Sequence, residues 1–370
     1  MTEPEPLQQL DGTYVRFRGR KLSYFSGCDY FRLASHPRVV AALQAGVRKY
    51  GLNVAASRLT TGNHILYRRL EHSLAKFFHA PSALLTPTGY MSNLVVAQAL
   101  AGNFSHALID AESHPSLSDA ARFLDCPVLR FEHQNTEALA RSVRRCGAGA
   151  RLILFTEGLF SRDGSVAPLA EYLRRLPKDA WMLVDDAHGA GVLGPAGQGS
   201  LEHAGVQRLR IIQTITLSKA FGAYGGAILG TAALRQKILG RSQLFVGSTP
   251  LPLPLANAAL QGIQVLKSDR TLRKRLAANL MYVRKGLCGS NFGPIETPGP
   301  IITILPKDTK PIRQLKRQLL RAGIFPSFIK YPSGPASGYF RFAISSEHTR
   351  HQLDTLISVL RQLKRQGRRI

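Results

Sequence analysis

Short apolar runs alternate with longer stretches of helical periodicity from residue 83 onward. The runs Ala83–Leu85, Ala107–Ile109, Val128–Phe131, Leu152–Thr156, Trp181–Val184, Ile211–Thr216 and Ala227–Leu229 read as buried strands. Helices fill most of the intervals. This alternation predicts an α/β fold: a mostly parallel central sheet with helices on both faces and right-handed crossovers. Upstream, residues 1–40 read as an N-terminal arm with a short hairpin through Tyr14–Phe25. Ser35-His36-Pro37 starts a helix with Val39, Val40, Leu43 and Val47 on its apolar face, and Leu66–Phe78 is a second amphipathic helix. The string PLPLP at Pro250–Pro254 breaks the alternation, and a long linking helix is expected near 256–287. Strands at Ile301–Leu305, Phe325–Pro326 and Tyr339–Ala343, with helices at Pro311–Ala322 and His348–Lys364, then form a compact α+β unit. The expected domains are the arm (1–40), a large domain (41–270) and a small C-terminal domain (271–370).

Composition narrows the class. The chain has 370 residues, 44% of them hydrophobic, enough for a sizeable core. No 18-residue apolar run is present, so no membrane span is expected. The start MTEPEPLQQLDG lacks the basic and apolar regions of a signal peptide, and a cytoplasmic location is expected. Cys28, Cys126, Cys146 and Cys288 are scattered without a CxxC pair and read as reduced thiols; neither a metal site nor a disulfide framework is indicated. The formal charge of +26 is spread over many helices without an aromatic-interleaved patch. It reads as solvated helix faces, and secondarily as a field attracting phosphorylated substrates, rather than as a nucleic-acid site.

Two strand ends carry the candidate chemistry. Trp181–Gly194 reads WMLVDDAHGAGVLG and Thr214–Gly226 reads TITLSKAFGAYGG. Consecutive parallel strands deliver their polar tails to the same carboxyl edge, where ligands bind. Asp185 and His188 come from the first tail, and Thr216, Ser218 and Lys219 from the second. A carboxylate, an imidazole and an amine in one crevice suit pyridoxal 5'-phosphate (PLP): the lysine forms a Schiff base and the carboxylate keeps the pyridine nitrogen protonated. Taken singly, Asp-Asp after a strand is often a loop start and a lysine before a glycine turn is usually solvated; their order, spacing and shared polarity favour catalysis. Of the pair, Asp186 is the expected bystander. The pattern Gly189-x-Gly191-x-x-Gly194 imitates a dinucleotide fingerprint but lacks the acidic residue expected about 20 positions on. It reads instead as a loop that lets the backbone pass close to a cofactor.

Eight strings in one order carry a family resemblance: Ser57-Arg58-Leu59-Thr60-Thr61-Gly62, Thr88-Gly89-Tyr90-Met91-Ser92-Asn93, Asp110 with His114-Pro115-Ser116, Thr156-Glu157 with Ser161-Arg162-Asp163-Gly164, Asp185-Asp186-Ala187-His188, Thr216-Leu217-Ser218-Lys219, Ser248-Thr249 and Arg341. From about Phe25 to Leu360 the chain resembles the α-oxoamine synthases, a branch of the fold-type I PLP enzymes. The resemblance implies condensation of a small amino acid with an acyl-CoA or acyl-carrier-protein thioester, usually with loss of carbon dioxide. Among the branches, the compact chain is most like the 8-amino-7-oxononanoate synthases; the glycine C-acetyltransferase, 5-aminolevulinate synthase and serine palmitoyltransferase branches are alternatives. So are, from other classes, a PLP aminotransferase or aldolase and a non-catalytic basic binding protein.

The resemblance also implies roles. Lys219 would be the Schiff-base lysine and the α-carbon base, Asp185 the partner of the ring nitrogen, and His188 and Ser161 partners of the phenolic oxygen. His114 would stack on the ring and polarise the thioester carbonyl. Thr88, Gly89, Tyr90 and Thr216 would hold the phosphate, and Ser248 and Thr249 would reach the phosphate of the neighbouring subunit in a homodimer with shared active sites. Arg341 would clamp the amino-acid carboxylate, with Cys28 nearby. The family string Asn-Asp-Tyr-Leu-Gly-Leu is here Cys28-Asp29-Tyr30-Phe31-Arg32-Leu33. Arg32, with Arg16, Arg18 and Arg20, is expected to face a distal carboxylate or its ester on a long acyl chain; the alternatives are that these arginines are solvated or serve the phosphates of CoA.

Overall fold

The computed structural model describes residues 4–288, 297–305, 309–330 and 334–365. The chain opens with an antiparallel meander of β1 (Gln8–Asp11), β2 (Tyr14–Phe17) and β3 (Arg20–Ser23). Seven strands follow: β4 (Ser82–Thr86), β5 (His106–Asp110), β6 (Val128–Phe131), β7 (Leu152–Glu157), β8 (Trp181–Asp185), β9 (Ile211–Thr216) and β10 (Gly226–Gly230). They form one sheet in the order β4-β10-β9-β8-β7-β5-β6. β10 runs antiparallel to both its neighbours, while the pairs from β9 to β6 are parallel. β11 (Ile301–Ile304), β12 (Phe328–Ile329) and β13 (Tyr339–Ala343) make a third, antiparallel sheet in the order β11-β13-β12.

Helices cover both faces of the seven-stranded sheet, which is why its strands read as continuous apolar runs rather than alternating ones. β7 shows the division. Ile153 and Phe155 join Val95, Val96, Leu183 and Ile212 in one buried cluster. Leu152 and Leu154 join Met182, Val184, Leu169 and Tyr172 in the other. No helix among the described residues is long and apolar enough to cross a membrane.

The chain forms two compact units. One runs from His36 to Ser161 and from Ser165 to Ser268; the other takes the residues up to Ser35, Arg162–Gly164 and the chain from Asp269 on. Within the second unit, Ser23 donates its N–H to Gly323 O at 2.7 Å and accepts from Phe325 N at 2.9 Å, and Ala343 N donates to Phe25 O at 2.6 Å. Phe325 thus bonds to the N-terminal segment, and Pro326 has no N–H to offer a ladder; the strand expected at Phe325–Pro326 forms further on, at Phe328–Ile329. The single helix expected near 256–287 is two helices, Leu253–Ser268 and Arg270–Leu287. Asp269 lies between them in a non-helical conformation, and its carboxylate accepts from Thr271 N at 2.9 Å, which starts the second helix afresh.

Helix Leu253–Ser268 packs closely enough to need glycine. A Cβ on Gly262 would run into the carbonyl oxygen of Phe221. A Cβ on Gly46, in helix Pro37–Tyr50, would stand 2.8 Å from Pro254 Cα. Phe221 belongs to the turn after β9, so this helix fixes the backbone that carries Lys219. Gly262→Ala is therefore expected to lower the urea midpoint, with a loss of about 1–3 kcal/mol of unfolding free energy. A midpoint equal to wild type would show that the helix and the turn are not in firm contact.

Candidate functional site

β7, β8 and β9 run in register, so Glu157 pairs with Asp185, and Asp185 with Thr214. Three polar strand ends therefore meet at one edge of the sheet. Asp185 is 9% exposed and held from several elements. Its Oδ2 accepts from Asn93 Nδ2 at 2.6 Å and from Ser116 Oγ at 3.4 Å, and its Oδ1 accepts from Ala187 N at 3.0 Å. Asn93 is fixed in turn by the Thr214 hydroxyl, which donates to its Oδ1 at 2.6 Å. The turn between β9 and β10 is closed by Leu217 N donating to Gly225 O at 2.9 Å, with Gly225 at φ 110°. It presents Lys219, whose Nζ lies 2.7 Å from Nε2 of His188.

These groups line a cavity of about 210 Å³. Of the residues expected from sequence, Thr88, Gly89, Tyr90, His114, Asp185, His188, Thr216 and Lys219 are all in its wall. Thr88 caps the helix Gly89–Ala99, its hydroxyl accepting from Met91 N at 3.2 Å. The N–H groups of Gly89 and Tyr90 precede the first intrahelical bond, from Ser92 N to Thr88 O, and form a ready anion site. Two glycines bring the turn against the sheet: a Cβ on Gly89 would sit 2.8 Å from Thr216 Cβ, and one on Gly226 would sit 2.6 Å from Gly89 N. Tyr90 and His114 meet edge to face, ring centroids 6.1 Å apart.

Five expected residues lie elsewhere. Ser161 is not in the cavity wall; its N–H donates to Glu157 Oε2 at 3.0 Å. Ser248 donates its hydroxyl to Leu244 O and borders a separate small void with Arg58 and Thr86, and Thr249 is exposed. Arg341 and Cys28 come together in the other unit. There Arg341 Nη2 lies 3.8 Å from Cys28 Sγ, and both line a cavity of about 280 Å³.

The structure adds residues that sequence reasoning left without a role. Asn93 and Ser116 hold Asp185, as above. Glu157 is buried at the cavity wall; its Oε1 accepts from His114 N at 2.9 Å, so one carboxyl fixes the backbone of both His114 and Ser161. Burial raises its pKa first, and the charge of Asp185 adds to that. Its signal in the sequence is the one that revealed Asp185, a carboxylate at the end of an apolar strand.

The glycine loop after β8 has a different purpose from the one expected. A Cβ on Gly189 would strike Asp186 Oδ1, one on Gly191 would stand 2.7 Å from Ala220 Cβ, and one on Gly194 would strike Glu202. The glycines make room for the protein's own groups. Asp186 is no bystander either: it is fully buried, with Oδ2 accepting from Ser200 N at 2.8 Å and from Gln213 Nε2 at 2.6 Å. Gly158, Gly189 and Gly199 all abut its carboxyl group.

Comparison with known proteins follows the same lines. A family model described as Aminotransferase class I and II matches residues 26–360. The chain is 35% identical over 345 residues to the 8-amino-7-oxononanoate synthase of Thioalkalivibrio sulfidiphilus, spanning 92% of this chain and 88% of that one. It is 35% identical over 352 residues to that of Methylococcus capsulatus, spanning 94% and 90%. Among solved structures, the serine palmitoyltransferase from S. paucimobilis with bound PLP–myriocin aldimine superposes with a TM-score of 0.92 at 26% identity, covering 99% of this chain and 94% of that one. An 8-amino-7-oxononanoate synthase from Francisella tularensis gives 0.80 at 25% identity, covering 94% and 99%.

Burial pushes the Asp186 carboxyl up to about 6, against the pull of its hydrogen bonds from Ser200 and Gln213. A raised carboxyl pKa contributes stability that is fully present below about pH 4, the range of an unfolded aspartate, and is lost as pH rises through the folded value. Between about pH 4 and pH 7 this group is expected to remove up to about 3 kcal/mol of unfolding free energy. Asp186→Asn, followed by urea titration across that range, should show a shallower decline. Parallel curves for the two proteins would mean that Asp186 does not titrate there.

Proposed function

The chain belongs to the aminotransferase class I and II family, and on that premise we propose that it is a PLP-dependent acyltransferase. It condenses a small amino acid with an acyl thioester to give an α-amino ketone, carbon dioxide and the free thiol, in the manner of an 8-amino-7-oxononanoate synthase. One observation carries the reading: Lys219, Asp185, His188 and the first turn of helix Gly89–Ala99 share a single cavity. An amine for the aldehyde, a carboxylate for the ring nitrogen and an anion cradle for the phosphate are the three attachments the cofactor requires. The close glycine contacts at Gly89 and Gly226 keep side chains out of that cradle. The names of the relatives support acyl transfer over transamination.

In this reading Lys219 holds the cofactor aldehyde, Asp185 the ring nitrogen, and Thr88, Gly89, Tyr90 and Thr216 the phosphate. His188, in the cavity wall, serves the phenolic oxygen. The bound cofactor supplies an electron sink for the carbanion at the amino-acid α-carbon. Everything else falls to the chain's own side chains. Lys219 Nζ takes the α-proton and returns one to the product, held by His188 at 2.7 Å. Asp185 stays an acceptor of fixed orientation because Asn93 Nδ2 and Ala187 N both donate to it. His114, fixed through its N–H to Glu157, polarises the thioester carbonyl. Arg341 binds the amino-acid carboxylate with its planar fork, with Cys28 beside it. The functional form is a homodimer in which Ser248 and Thr249 serve the partner's phosphate site, consistent with their place outside the cavity of their own chain.

Reconstitution with PLP is expected to give a visible absorbance band that Lys219→Ala abolishes. A band of equal strength in the variant would remove Lys219 from the cofactor site.

The substrate pair is tested by thiol release. L-Alanine with a heptanedioyl (pimeloyl) thioester is expected to outperform glycine with acetyl-CoA and L-serine with palmitoyl-CoA in direct competition. A win for either rival pair reassigns the branch, and amino-group transfer without thiol release would replace acyl transfer by transamination.

A further inference from the structure

The arginines of the N-terminal segment have separate fates. Arg16, Arg18 and Arg20 are exposed on β2 and β3 and the turn between them. Arg32 is buried, 8% exposed, with a left-handed backbone at φ 54°. A side chain there is held in a conformation that glycine adopts freely. Glycines nonetheless make room for the arginine. A Cβ on Gly12 would stand 3.0 Å from Arg32 Cβ and 3.1 Å from its Cγ; one on Gly27 would stand 3.6 Å from Nη1. The guanidinium donates from Nη2 to Tyr24 O at 3.2 Å and has its carbon 5.8 Å from the centre of the Tyr24 ring.

The Asp29 carboxylate acts on this charge only from beyond ion-pair distance. Arg32 forms no ion pair among the described residues, and its buried Nε has no hydrogen-bond partner. The nearby Asp29 accepts instead from Leu33 N at 3.0 Å and Ala34 N at 2.9 Å. An arginine cannot relieve its burial by losing a proton, and a buried cation without an anion in direct contact keeps part of its desolvation cost. A cavity beside it is lined by Tyr24, whose carbonyl and ring its guanidinium meets, and by Gly27, together with Ser26, Ser327, Cys28 and Arg341. Arg341 stands in the wall of this cavity, and Arg32 lies behind the wall at Tyr24 and Gly27.

We propose that Arg32 is a specificity-determining residue, which selects substrates carrying a second carboxylate beyond the one that Arg341 binds. The inference rests on the acyl-transfer reading for the role of Arg341. The amino-acid carboxylate neutralises one cation, and the second remains to attract another anion across a wall with no side chain at Gly27. That second carboxylate can sit on the acyl donor or on the amino-acid side chain, and the experiment separates the two.

In the holoenzyme, the ratio of kcat/KM for heptanedioyl-CoA to that for heptanoyl-CoA is measured with L-alanine; the ratio for L-glutamate to L-glutamine is measured with heptanoyl-CoA. Wild type should favour the carboxylate in one arm, and that arm names the source. Arg32→Gly, which suits the backbone at φ 54°, and Arg32→Gln, which keeps the stem without the charge, should each reduce that ratio about tenfold or more. A wild type without preference in either arm overturns the proposal. So does Arg32→Gln with the wild-type ratio, because shape and not charge would then be at work. If wild type releases CoA from no donor, the acyl-transfer reading fails by itself. Calorimetric titration of the holoenzyme with heptanedioate and heptanoate then decides Arg32: a dicarboxylate preference lost in both variants supports it, and equal binding overturns it.

Discussion

Asp185 is the point on which the rest of the site depends. A carboxylate at the end of a buried strand is tolerable only with donors in place, and here they come from three directions: Asn93 on the helix after β4, Ser116 on the helix after β5, and the chain's own turn at Ala187. The Asn93 donor is itself fixed by Thr214 on β9. Satisfying one acid thus ties two helices to two strands. The helix N-terminus at Gly89 belongs to the same helix as Asn93, so its distance from the Asp185 carboxylate is set by a rigid rod rather than by loops.

A second shell of constraint lies behind it. Asp186 faces away from the cavity into Gly158, Gly189 and Gly199, while Gly191 lets Ala220 close on the glycine loop and Gly262 lets Phe221 close on a helix. Asp186, next to Asp185, and Ala220, next to Lys219, are both packed by glycines. The functional side chains are free to face the cavity because the residues beside them are immobilised.

Much of this was legible in the residues. The seven central strands fall within a residue or two of their apolar runs, because burial on both faces leaves an unbroken signal. β12 was misplaced, since only the three-dimensional pairing of Phe325 with Ser23 shows that the peptide group is taken. The break at Asp269 was hidden because helical periodicity continues on either side of it. Glu157 had no role until its register with Asp185 appeared. The burial of Asp186 and of Arg32 was not legible, because charged residues are rarely buried and nothing local announces that the glycines around them make room for them.

The pairing of Ser23 with Gly323 and Phe325, and of Phe25 with Ala343, has a consequence for synthesis. A chain emerging from the ribosome makes Ser23 and Phe25 some three hundred residues before their partners exist. The first strands translated are among the last to be seated. Until then their unpaired edges and the apolar side chains of Val15, Leu22 and Phe25 stand open, the kind of surface that invites premature association. The meander of β1 to β3 lets the segment bond to itself in the interval, and its charged Arg16, Arg18, Arg20 and Lys21 give the waiting edge a repulsive face.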